Sequence, residues 1–535
     1  MKKMTYIQSL GAALFIGILM LPACTDKFEE MNKDPNNPVD VPAYTAFTAA
    51  IVNSVDHRLG AGWMNHTYFA CWSQQWCKIQ YIDEDRYLLR TENQNDFFQR
   101  PYNDYLMNLK LVIDKTKAGG PEENLGLNAA ARVLRAWNFH ILTDQFGDVP
   151  YSEALLGLEN PDNVRPKYDT QESIYKDLIA DLKQCNTDLK SLQGDNFGKG
   201  DLIYDGNPEA WRRFANSLRL RLLNRAAGVV NVAAKPWDQA EAEITAMLAD
   251  PDEYPMIESN EDNAKLEYPG ELPYRNGTYN TLYTRTDQAI SETMVNWLGD
   301  REDLRLTVYA QPTSADPTVY AGSQNGRGSQ PTIPNISLLG IKIAYDPAAP
   351  LYILVAAETY FHKAEHYLRI GDLPKAKLNY ERGIEVSFDQ WGLTMAADYV
   401  VRPGVDWEAA TTDEQRFQLI AEQNWAALFT QGCEAYAEVR RTGYPARIFQ
   451  YELEATTYPG LGLPVRFAYP PNEESYNGAN LQEARVRQNV EASNDGMFST
   501  DGTRSQMWWH VKKNPIPTST DPQTTFRQIP ASSLH

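Results

Sequence analysis

Apolar residues recur along most of this chain at steps of three and four. "QESIYKDLIADLKQCNTDL" places Ile174, Leu178, Leu182, Cys185 and Leu189 on one stripe, the signature of an amphipathic helix. "NPEAWRRFANSLRLRLLNRAA" repeats the pattern with Trp211, Phe214, Ala215, Leu218 and Leu222, with Pro208 suited to a first turn and the arginines expected mainly on other faces. "YILVAAETYFHKAEHYLRIGDLPKAKLNYERGIEVSFDQW" predicts two helices. Gly371 suits the end of the first and Asp372 the cap of the second, with Pro374 just inside. This hairpin has a tetratricopeptide-type look: small Ala364 allows close approach, and Ala376, Tyr380 and Ile384 form the second stripe. Such hairpins bury their stripes only by stacking on neighbours.

Two regions break the pattern. Residues 251–349 and 446–535 are rich in Pro, Gly, Asn, Thr and Tyr, and read as long ordered loops and short strands. The expected fold class is therefore mostly α, a scaffold of helical pairs over residues 41–250 and 350–445, carrying loop-rich insertions over 251–349 and 446–535. Residues 41–535 form one body in this reading. Long loops on a rigid scaffold are where binding function concentrates.

The N-terminus is different in kind. A short basic start, Met1 to Met4, precedes an apolar run from Leu10 to Leu21. That run is shorter than the roughly 20 residues of a membrane span, so residues 1–23 read as a signal peptide. Leu21-Pro22-Ala23-Cys24 resembles a bacterial lipobox, which implies cleavage before Cys24 and lipidation of its thiol. Residues 24–40 hold Asp26, Glu29, Glu30, Asp34 and Asp40 with Pro35 and Pro38, and cannot bury much apolar surface. They read as an acidic tether, similar to the surface-export signal of Bacteroidetes lipoproteins.

Charge narrows the partners. The 535 residues carry a formal net charge of −20, and loss of Lys2 and Lys3 with the leader makes it −22. Such a surface repels nucleic acid and suits neutral or cationic ligands. Beyond Cys24, the cysteines Cys71, Cys77, Cys185 and Cys433 form no CxxC pair and are expected to be free and buried.

Catalytic motifs are weak. "HKAEH", His362 to His366, matches an inverted zinc-peptidase pattern, but it lies inside the helical hairpin and reads as two polar positions on a packed helix. "GDNFGKG", Gly194 to Gly200, is one residue short of a P-loop and lacks Ser or Thr after Lys199. No cofactor and no metal is expected. Two of the 70 carboxylates could form a glycosidase pair, so an all-α glycoside hydrolase stays open as the enzymatic alternative.

Aromatic clusters are more informative. "FACWSQQWCKIQYIDEDRYLLR" offers Trp72, Trp76, Tyr81 and Arg86, with the two tryptophans four apart as if on one helix face. "YRNGTYNTLY" offers Tyr274, Arg275, Asn276, Tyr279 and Tyr283. Sugars present flat C–H faces and many hydroxyls, and need aromatic platforms beside polar donors and acceptors. These nine residues are the candidate ligand contacts; packing in the core is the alternative for Trp72 and Trp76.

Several blocks, in order along nearly the whole chain, resemble the SusD/RagB family of outer-membrane lipoproteins of Bacteroidetes, in its SusD-like branch. They are the lipobox with "DKFEEMNKDPNNP", "ARVLRAWNFHILTDQFGDVPYSEAL", "GDLIYDGNPEAWRRFANSLRLRLLNR", "AETYFHKAEHYLRIGD", "EQNWAALFTQGCEAYAEVRRTGYP" and "MWWHVKKNP". In the fourth, Ala357-Glu358 and Ala364-Glu365 stand seven apart. The resemblance implies four tetratricopeptide-like helical pairs with an irregular ligand face, anchored by lipid at the outer-membrane surface. It implies capture of an oligosaccharide, or in some members a peptide, for a SusC-like TonB-dependent transporter, without catalysis.

Overall fold

The computed structural model describes residues 41–60, 64–192, 194–446, 448–449, 463–490, 506–512, 518–519 and 527–534. Cys24, the leader and the tether lie outside them. Helices of six residues or more are, in order, α1 (Ala43–Leu59), α2 (Thr91–Asn103), α3 (Tyr105–Thr116), α4 (Leu125–Phe146), α5 (Gln171–Lys190), α6 (Pro208–Ala226), α7 (Ala240–Ala249), α8 (Gly277–Leu282), α9 (Glu292–Gly299), α10 (Ala356–Arg369), α11 (Leu373–Asp389), α12 (Asp413–Ala427), α13 (Gly432–Thr442) and α14 (Pro471–Gln488). They pack chiefly as pairs: α4 on α5, α5 on α6, α1 on α3, and α10 on α11.

The hairpin α10–α11 forms as its sequence predicts. Gly371 takes φ +80°, a conformation that costs glycine little. The Asp372 side chain accepts from the Lys375 amide and caps α11. Ala364, Ala376, Tyr380 and Ile384 are fully buried. On α5, the whole predicted stripe is buried, and Thr170 caps its start. On α6, Asn207 accepts from the Glu209 and Ala210 amides.

The arginines of α6 correct the sequence reading. Arg212, Arg219, Arg221 and Arg225 are buried: carboxylates from other helices meet the last three, while Arg212 pairs with Glu209 of its own helix and donates to the Glu253 carbonyl. Arg221 Nε and Nη2 donate to Glu358 of α10 at 2.5 and 2.7 Å. Arg225 pairs with Asp144 of α4 and with Glu434 and Glu438 of α13. Arg441 of α13 donates to both oxygens of Glu365 at 2.7 and 2.6 Å, and to Glu438 at 2.7 Å. Glu358 and Glu365, seven apart and so on one helix face, thus each receive an arginine from a different helix. One network of buried charge links α4, α6, α10 and α13. His362 and His366 serve it separately: His362 meets Asn224 and Glu358, and His366 meets Glu241.

Strands are short and paired in twos. β1 (Trp76–Lys78) pairs antiparallel with β5 (Gln288–Ile290), β2 (Val149–Pro150) with β3 (Tyr168–Asp169), and β4 (Ala264–Leu266) with β7 (Leu351–Leu354). β6 (Val319–Tyr320) pairs antiparallel with β10 (Ile529–Pro530), and β8 (Ile448–Phe449) runs parallel to β9 (Thr518–Ser519). The second loop-rich region is not all loop and strand. It contains α14, 18 residues long. Its stripe is thin, Leu481 and Ala484 on a mostly polar helix broken at Asn477, so periodicity did not announce it. Cys71, Cys77, Cys185 and Cys433 are free and buried. Among the described residues no helix is long and apolar enough to cross a membrane.

Candidate functional site

Pairing of β1 with β5 joins two segments about 200 residues apart in sequence. Trp76 lies opposite Ile290 and Lys78 opposite Gln288. Beyond the ladder, the Ile79 and Gln80 amides both donate to the Asp287 carbonyl, at 2.9 and 3.3 Å. The chain after β1 therefore runs beside the chain before β5. Tyr81 projects from the first with 57% of its surface exposed. The Arg285 guanidinium from the second sits 5.7 Å from the Tyr81 ring centroid, and the Lys78 ammonium 5.9 Å. Asp287, buried, pairs with Arg285 at 2.6 Å and orients it.

The tyrosine loop leads into Arg285, whose amide donates to the Leu282 carbonyl at 2.9 Å. Asn276 caps α8, accepting from the Tyr279 amide and donating to the Ala349 carbonyl at 2.8 Å. Tyr279 within α8 and Tyr283 at its C-terminal cap, one turn apart, stack with centroids 4.9 Å apart and planes 15° apart. Tyr283 and Tyr274 are exposed, and Arg275 lies 5.7 Å from the Tyr279 centroid. Stacked rings hold each other in place and leave their outer edges and faces for a ligand.

A third segment is tied to the first by hydrogen bonds. Asp85 is buried and accepts from Asn325 Nδ2 at 2.9 Å and from the Gly326 amide at 3.1 Å. Burial pushes its carboxyl up to about 6, against those hydrogen bonds, which pull it down. Asn325 also donates to the Trp76 carbonyl. This fixes the loop 322–336 against the 76–87 segment. There Ser323, Gln324, Arg327, Thr332 and Asn335 line a polar recess of about 180 Å³. Gln74, Tyr81 and Tyr87 all take positive φ, of 53°, 51° and 70°. Non-glycine residues in that region carry strain that concentrates at functional segments.

The predicted contacts divide. Tyr81, Tyr274 and Tyr283 are exposed, and Tyr279 and Arg275 are half-buried, with Tyr279 stacked on Tyr283 and Arg275 near the Tyr279 ring. Arg86 is half-buried and pairs with Asp83. Trp72 and Trp76 do not share a helix face: the helical turn ends at Trp72, and Trp76 lies in β1. Both are core residues, 1% and 2% exposed. Trp72 stacks on Phe467 and meets Tyr68, Tyr87 and Tyr436 edge-on, while its indole N–H donates to the Glu84 carbonyl. Trp76 stacks on His66. A flat apolar ring next to a large aromatic core gains more by burial than by waiting for ligand. Asn276 is likewise buried and spent on its cap. The sequence reading missed Lys78, Arg285, Gln324 and Arg327. Only the strand pairing brings the first two together, although "SQNGRGSQP" held the turn signals of a binding loop. Among the described residues no cluster of three or more His, Cys, Asp or Glu is placed to hold a metal ion.

Known structures share this fold. A chitin-binding SusD homologue from Flavobacterium johnsoniae superposes with a TM-score of 0.72 at 23% identity, covering 89% of this chain and all of its own. A SusD homologue from Bacteroides uniformis gives 0.73 at 23% identity, covering 88% of this chain and all of its own. A further chitin-binding protein gives 0.71 at 25% identity, with 88% of this chain and all of that one covered. No curated protein matches the chain. Residues 35–470 match the SusD-like family model described as starch-binding and associating with the outer membrane, and the chain therefore belongs to that SusD-like family.

Proposed function

We propose that this protein captures a neutral oligosaccharide at the cell surface and hands it to a SusC-like TonB-dependent transporter, without altering it. The observation that carries this reading is the β1–β5 pairing, which sets Arg285 beside the exposed Tyr81, with the stacked Tyr279 and Tyr283 lying just before Arg285 in the chain. Aromatic faces with guanidinium and carboxamide donors match the amphipathic surface of a sugar. The family description and the chitin-binding relatives support a glycan as ligand. The family description also supports a place at the outer membrane. In this proposal residues 1–23 are the signal peptide, Cys24 carries lipid, residues 24–40 are the tether, and residues 41–535 are a single binding body.

The test is calorimetry on residues 25–535 against a panel of neutral oligosaccharides and short peptides, followed by mass spectrometry of the mixtures. Saturable binding of intact sugars supports the proposal. Binding of peptides alone, or reproducible cleavage of a sugar, overturns it.

A further inference from the structure

A cleft of about 470 Å³ lies between α2, α3, α14 and the loop 150–166. None of its lining residues comes from segments 76–87, 274–287 or 322–336. Its size is that of a small-molecule site. Phe98 and Tyr102 of α2 form one wall, and Tyr476 of α14, 60% exposed, stands among the other lining residues. Gln99, Asn103 and Asn163 bring carboxamides to it, each both donor and acceptor. Glu473 contributes a carboxyl, 7% exposed and held by the Tyr168 hydroxyl at 2.6 Å; burial raises its pKa. Among the described residues no Lys or Arg lines the cleft.

Two backbone irregularities lie at this cleft. Leu155 adopts φ +66°, unfavourable for a branched side chain. α14 breaks its helical geometry at Asn477, with φ −144° and ψ 34°. The Asn477 side chain fixes the break by donating to the Pro166 carbonyl at 2.7 Å, joining helix and loop at the cleft wall. Neither irregularity serves the ion network or the tyrosine patch.

We infer that this cleft is a second ligand site, taking one or two rings of a neutral saccharide between Tyr102 and Tyr476. Aromatic and aliphatic walls take the C–H faces, and the three carboxamides take hydroxyls. The absence of a lining cation disfavours acidic sugars and phosphorylated ligands.

Thiol protection tests it, because Cys71, Cys77, Cys185 and Cys433 are buried. In the whole mature chain with Cys24→Ser, an added Val164→Cys supplies an exposed thiol at the cleft and leaves the three carboxamides and both tyrosines in place. Alkylation by N-ethylmaleimide is timed with maltose, cellobiose, N,N′-diacetylchitobiose or glycyl-tyrosine at about 10 mM, enough for weak sites. The expected result is a slowing of about threefold or more by at least one disaccharide, at partial or full occupancy of a millimolar site. It should persist in the Tyr279→Ala/Tyr283→Ala chain and vanish when Tyr476→Ala is added. Equal melting temperatures of the variants confirm that they fold. Protection by no disaccharide, protection by the dipeptide alone, protection indifferent to Tyr476, or protection lost with the patch tyrosines would each overturn the inference.

Discussion

Arg441→Met removes the guanidinium that satisfies two buried carboxylates at once. Arg441 is 1% exposed and makes four contacts to Glu365 and Glu438, between 2.6 and 3.2 Å. Without it, Glu365 keeps Arg369 at 2.8 Å and Asn224 at 2.9 Å. Among the described residues Glu438 keeps Arg225, at 3.3 Å. Methionine fills much of the space, so the cost is mainly electrostatic. Removing one partner of a buried pair costs about 4 kcal/mol, because the other charge stays buried. The unfolding entropy of a chain of 535 residues is about 1.1 kcal/mol per kelvin, so the melting temperature should fall by about 4 °C. Circular dichroism during a thermal ramp at pH 7 measures it. Adding Glu438→Gln should recover part of the loss, since the orphaned charge is gone.

The same variant has a pH signature. Burial pushes the Glu438 carboxyl up, but Arg441 and then Arg225 pull it further down, to about 2. A depressed folded-state pKa gives stability that is complete above about 4.5 and lost as pH falls toward 2. Without Arg441 the folded pKa rises, so acid loss should begin at higher pH. A melting temperature within about 1 °C of wild type at pH 7, with an unchanged acid limb, would refute the view that these charges hold the four helices together.

Tyr279→Ala with Tyr283→Ala should weaken glycan binding by about 1–2 kcal/mol, five- to thirtyfold in Kd, with little change in melting temperature; unchanged affinity by calorimetry moves the site elsewhere. Burial pushes Glu292 up to about 7, against Gln324 and Arg327, so the fold loses stability as pH rises from about 4.5 through 7. Glu292→Gln should therefore melt higher than wild type at pH 8, with the gain fading towards pH 4.5; identical melts at pH 8 would contradict this. A Cβ at Gly340 would lie 1.7 Å from the Val308 carbonyl oxygen, so Gly340→Ala should destabilise by about 1–3 kcal/mol, checked by urea unfolding. Cys24→Ser should abolish incorporation of labelled palmitate and release the protein from the membrane fraction; labelling that survives would reject the lipid anchor.

Local pattern determined the helices. The stripes of α5, α6, α10 and α11 and the Asp372 cap follow from spacing of three and four and from short-range hydrogen bonds, both written in adjacent residues. The resemblance in six ordered blocks also pointed to the family. α14 escaped because a polar helix with a thin stripe and an internal break has little period to detect. The arginines of α6 escaped for another reason: a charged residue reads as exposed until a carboxylate from a distant helix faces it, and Glu358, Glu434 and Glu438 lie more than 130 residues away. The site divides along the same line. Local sequence favoured Tyr274, Tyr279 and Tyr283 as ligand contacts, because a Gly- and Pro-rich loop cannot bury every ring; Tyr274 and Tyr283 are exposed and Tyr279 is half-buried. It could not decide Trp72 and Trp76, since an indole suits a core as well as a sugar, and only the packing of Phe467, Tyr436 and His66 settled them. Nor could it join Tyr81 to Arg285. That contact rests on three residue pairs between β1 and β5, and such a register is fixed by the body that holds both strands, not by either strand alone.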